Sequence, residues 1–282
     1  MDTLQLWLDH PAAQSGLIPF MVALLVATLL QRVQLSGLAI FAGFATAVYL
    51  ISEFSFSPLT SSRKIILLGI VCTLIAMPYI KFRGMHLILT IAGGAAAVWT
   101  VQSILKQQEL QNMLLWGTGC AMYVGWLVYW MDTLQQSPVR AASAGMALGF
   151  GTGLATLIGA SAFLGQLGIA LGSAASAFLV IMSLTNRRMP MDRNFTFPLS
   201  LITGLLGCVG VLAALLPWYC LPVLALIPIL AKLQFYDKHL AWFDKKIVWF
   251  DKHTIWVHSI LLSGITLSCA AVAVYLSWRV NG

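Results

Sequence analysis

Carboxylates are scarce in this sequence, and none falls inside an apolar run. The 282 residues contain nine Asp and Glu against sixteen Lys and Arg, and charged residues make up 9% of the chain. Asp2, Asp9, Glu53, Glu109, Asp132, Asp192, Asp237, Asp244 and Asp251 all lie between apolar runs or at their ends. Proton- and sodium-coupled carriers keep a carboxylate at depth, because an intramembrane charge is costly and is retained for a task. Coupling of that kind is therefore not expected, nor is a proton pump built on buried Lys/Glu pairs.

Other absences narrow the chemistry. There is no P-loop, no Gly-x-Gly-x-x-Gly opening a helix, no His-Glu-x-x-His and no Gly-x-Ser-x-Gly. Histidines are never paired within an apolar run as haem ligation requires. Five cysteines (Cys72, Cys120, Cys208, Cys220, Cys269) form no Cys-x-x-Cys pair. They read as small buried hydrophobes, and no metal or cofactor is expected. Residues 1–16 carry Asp2 and Asp9 but no Lys or Arg, so they lack the basic start of a signal peptide. The first apolar run is expected to be retained.

What is present is apolar sequence. Sixty per cent of residues are hydrophobic, and mean hydropathy is +0.88. A soluble chain of this size needs far more charge to remain dissolved. The expected class is an all-α polytopic membrane protein, a single integral domain over 1–282. A crossing helix needs about 20 apolar residues. That criterion gives ten spans: 15–31, 35–52, 64–80, 84–105, 112–131, 139–160, 164–184, 197–216, 218–233 and 255–278. The sixth and seventh share a Gly/Ala/Ser-rich tract, expected to break near Gly165-Gln166.

The two halves echo each other. Ala27-Thr28-Leu29-Leu30 recurs as Ala155-Thr156-Leu157-Ile158, and 35–51 aligns without gaps on 164–180. Leu67-Leu68-Gly69 pairs with Leu205-Leu206-Gly207, and Cys120-Ala121 with Cys269-Ala270. Five spans per copy would make a 5+5 inverted repeat, with halves 15–131 and 139–278 joined by the linker 132–138. With both termini outside, twelve of the sixteen basic residues fall in inner loops; only Arg63, Lys64, Lys106 and Arg279 stay outside. That bias sets the orientation expected in a bacterial inner membrane.

Candidate pathway residues follow from the repeat. Thr28 and Thr156 are equivalent positions that would face each other if their helices line the pseudo-two-fold. The competing reading, which is preferred, has each hydroxyl bonded to a carbonyl one turn back in its own helix. Gly93 and Gly94 in the fourth span, with Pro222 and Pro228 in the ninth, would be paired interruptions of equivalent helices, the usual pointer to a midplane site. The competing reading is close helix packing and a tolerated kink.

Residues 236–256 form three consecutive heptads, each reading aromatic-Asp-Lys and closing on Trp. Lys238, Lys245 and Lys252 precede Trp242, Trp249 and Trp256 by four positions, so ammonium and indole meet along one helix. Such a strip suits a helix at the cytoplasmic interface, or a docking surface for other membrane subunits. Each Lys follows an Asp, which leaves little field for nucleic acid.

These features favour a secondary transporter or facilitator for a small neutral or apolar solute, rather than an enzyme. The rival is a non-catalytic accessory or assembly subunit docking through 236–256.

Overall fold

A computed structural model describes residues 10–30, 37–52, 59–76, 84–187, 189, 191–213, 215–233 and 254–281. All regular structure among them is helical: α1 (Ala13–Leu29), α2 (Gly37–Ile51), α3 (Ser61–Ala76), α4 (Met85–Leu105), α5 (Leu110–Asp132), α6 (Pro138–Gly159), α7 (Ala162–Thr185), α8 (Arg193–Ala213), α9 (Cys220–Lys232) and α10 (Thr254–Asn281). Five of these are long and apolar enough to cross a membrane, namely α4, α6, α7, α8 and the 258–280 stretch of α10. Three more apolar helices, α1, α2 and α9, are shorter.

Local chemistry explains several ends. Pro138 opens α6, where a missing N–H costs nothing. Asn186 closes α7 in the left-handed conformation, φ 49°, which Asn tolerates better than most residues. The break between α6 and α7 falls at Ala160-Ser161, not at Gly165-Gln166. Gly165 serves close approach instead: a Cβ there would lie 2.6–2.9 Å from Leu157 atoms, two of them backbone. Likewise α8 starts at Arg193 rather than 197 and carries Pro198 inside it. That proline withholds the N–H that would bond the Asn194 carbonyl. Gly37 at the start of α2 packs against this same carbonyl, closely enough to exclude any side chain.

The centre of the bundle is α8, with 89% of its apolar window buried; the corresponding value is 33% for α4 and 28% for α10. Around α8 stand α2 to α6, and α6 in turn meets α7 backbone to backbone through glycines. A Cβ on Gly149 would lie 2.3 Å from Gly172 N, and one on Gly153 2.5 Å from Ile169 N. In lipid, where apolar surface gains little by leaving its solvent, such close backbone packing is what holds helices together. Gly43 does the same for α2, meeting Ala174 of α7 and Pro19 of α1.

Contacts place alternate helix ends together. Gly37 meets Asn194, Asp132 pairs with Arg193, and Arg140 reaches Lys232, all at one end. At the other, Ser61 Oγ donates to Thr100 O (3.1 Å) and Ser277 Oγ to Ala155 O (2.9 Å). Successive helices thus run up and down. The halves are not packed alike: α6 lies along α10, whereas α1 and α5 share no extended contact among the described residues.

Candidate functional site: an apolar groove between α6 and α10

The expected pathway residues do not converge. Thr28 is exposed on α1, and its hydroxyl donates to Leu24 O (2.9 Å) and Leu25 O (2.7 Å). Thr156 is fully buried in α6 and donates to Thr152 O (2.7 Å) and Gly153 O (3.1 Å). Its methyl group instead abuts Gly210 of α8. Both hydroxyls are thus satisfied within their own helices, and the two do not face each other.

The proposed pair of interruptions is one-sided. α4 runs unbroken through Gly93 and Gly94, which pack on Val128 and Ala121 of α5. α9 does break, between Ala225 and Ile227, with Pro228 just beyond. Carbonyls at this joint accept from donors on neighbouring helices, Val223 O in addition to the Leu226 N–H it already holds (3.2 Å). Trp126 Nε1 donates to Ala225 O (3.2 Å), and Cys269 Sγ to Val223 O (3.3 Å). Cys220 Sγ reaches Ala273 O at 3.5 Å. Pro228 itself is buried, so the kink is a packed joint.

Residues 234–253 lie outside the described residues, and with them Lys238, Trp242, Lys245, Trp249 and Lys252 of the heptad strip. Trp256 falls in the first turn of α10.

One end of the bundle gathers charge. Asp132 closes α5 at the linker; it pairs with Arg193 Nε at 3.3 Å and accepts from Gln135 Nε2. Burial pushes the Asp132 carboxyl above its ordinary value, against the lowering pull of the Arg193 guanidinium. Nearby, Lys232 Nζ sits 4.9 Å over the Trp130 ring, and Arg140 Nη1 donates to Lys232 O at 3.3 Å. At the opposite end Lys64 is buried, donating to Trp99 O (2.9 Å) and lying 5.0 Å from that residue's ring. Its position at a span end in the sequence gave no sign of this burial. These contacts tie α5 to α8, α6 to α9 and α3 to α4.

A cavity of about 510 Å³ opens sideways between α6 and α10. Phe150, Leu154 and Ile158 line it from α6, and Leu267, Ala271 and Trp278 from α10. In each helix these residues recur at near-helical spacing and form one stripe. Gly151 lies at the floor, where a Cβ would stand 2.9 Å from Ala270 Cβ and from Leu224 Cδ2. Beneath the groove Ser277, fully buried, pins the two helices through Ala155 O. The walls are almost wholly apolar, so the site offers contact area but few groups for recognition or bond-making. Sequence reading missed it, because its two walls lie more than a hundred residues apart. In comparison with known proteins, the chain matches no family model and no curated protein resembles it.

Proposed function

We infer that this multi-pass membrane protein is a secondary transporter or facilitator for a small neutral or apolar solute, admitted from the lipid side. The observation that carries the reading is the laterally open apolar groove between α6 and α10. A volume of about 510 Å³ lies within the range of small-molecule sites, roughly 300–1,000 Å³. A solute held there exchanges contact with lipid for contact with protein and loses no hydrogen bonds, so affinity is modest and release is easy. Ten crossings in a 5+5 inverted arrangement, both termini outside in a bacterial inner membrane, is the topology proposed with it. The ten helical segments among the described residues, running alternately up and down, support that count.

Interlocked α6 and α7 backbones favour a second reading, because glycine-to-glycine contact leaves no central passage there. On that reading the chain is an accessory subunit and 236–256 its docking strip. Affinity purification in mild detergent separates the two. A transporter elutes as a lone monomer or homodimer, whereas stoichiometric co-purification of other membrane subunits would overturn that assignment.

A further inference from the structure

We propose that the α6–α10 groove seats the alkyl chain of a long-chain carboxylate, with the carboxylate drawn to Arg279 at its mouth. This rests on the transport reading for the groove and its lateral entry, but departs from it in the solute, which is apolar along its chain and anionic at its head.

Three features converge. The first is length. From Leu267 to Trp278 the lining stripe runs about 16 Å at 1.5 Å per residue, close to half of a hydrocarbon core about 30 Å thick. The groove is therefore about as long as one leaflet is deep.

The second is shape. Between two helices, with Gly151 hollowing the floor, the trough accepts an unbranched chain more readily than a bulky ring system. Leu154 and Ile158 on one wall and Leu267 on the other are each only 36–38% exposed. A chain lying there would cover their remaining surface at the protein boundary.

The third is the mouth. Tyr275 and Trp278 lie with ring centroids 6.2 Å apart, at the groove end nearest the end of α10. Rings of this kind mark the headgroup layer. Arg279 follows Tyr275 by four positions, so it projects from the same face of the helix, and it is exposed. A guanidinium offers two parallel N–H groups that match a carboxylate. Charge at the mouth and apolarity along the trough are the two ends of a fatty-acid-like anion. A trough walled by only two helices suits one alkyl chain better than the two of a diacyl lipid.

The test uses the full chain in lipid nanodiscs with a diazirine-bearing palmitate, followed by peptide mass spectrometry. Labels are expected in 150–158 and 267–278, and excess palmitate should suppress them about tenfold. An equal excess of diacyl phosphatidylglycerol should suppress them little. Ala271→Trp, at an exposed position in the trough, fills the groove and should abolish labelling there. Arg279→Gln should weaken competition by palmitate several-fold but leave competition by hexadecane unchanged, which a purely structural arginine would not do. Both variants must elute like the parent protein.

Labelling spread evenly over lipid-facing α4 as well, or unaffected by Ala271→Trp, overturns the proposal. So does phosphatidylglycerol competing as well as palmitate. Palmitate flux into proteoliposomes is measured alongside. Groove labelling without flux supports the site and removes the transport reading, whereas flux without groove labelling removes the site.

Discussion

Replacing Gly149 by alanine adds one methyl group, and the geometry sets what it costs. That Cβ would lie 2.3 Å from Gly172 N and 2.4 Å from Gly172 Cα. Ordinary non-bonded contact needs about 3.5 Å, so α6 and α7 must separate by roughly 1 Å. The obstructing atoms are backbone and cannot swing away as a side-chain tip would. Separation also loosens the neighbouring contacts of Gly153 with Ile169 and of Gly168 with Gly153. Overpacking a core typically costs about 1–3 kcal/mol, and backbone obstruction belongs at the upper end. Gly119→Ala supplies the control, because nothing lies within 4 Å of its added Cβ. In that variant helix propensity alone acts, worth up to about 1 kcal/mol in favour of alanine. Thermal unfolding in mild detergent, followed by size exclusion, should show Gly149→Ala melting well below the parent and Gly119→Ala at or above it. Equal melting of the two variants would refute the claim that backbone contact between α6 and α7 organises the bundle.

Trp126→Phe keeps an aromatic ring but removes the N–H that donates to Ala225 O (3.2 Å). It should cost about 1 kcal/mol and speed amide hydrogen exchange in 220–232; unchanged exchange would show the α9 joint to be independent of α5. The raised Asp132 carboxyl has a defined sign: the native protein holds this proton more tightly than the unfolded chain. Stability from this group is therefore greatest at low pH, falls as pH rises from the ordinary value of 3.8 through the raised native value, and is flat beyond. Asp132→Asn should remove that slope from a melting-temperature profile, and a slope surviving the substitution would assign it to another group. Protease added to spheroplasts, in which the outer side of the inner membrane is accessible, should release tags from both termini on the proposed topology; protection of either terminus there would reverse or break it.

Helix positions were legible in the sequence to within a few residues. An apolar run of about 20 residues is a local property, and lipid demands that its backbone bond to itself. The scarcity of charge pointed to the membrane class for the same reason, and five helices long and apolar enough to cross a membrane are compatible with it. Misplaced boundaries came where a residue served a distant partner. Gly165 suggested a turn but lies against Leu157, and 193–196 looked like loop but begins the most buried helix of the bundle.

Which helix faces meet was decided only by the tertiary structure. Thr28 and Thr156 share a sequence context, yet one is exposed on α1 and the other is fully buried beside α8. Lys64 is buried against α4, and the groove joins residues 150–158 to residues 267–278. In water an amphipathic stripe would announce the buried face. In a bilayer the lipid-facing side is as apolar as the core, so the pattern carries no such mark, and only close packing selects the partner.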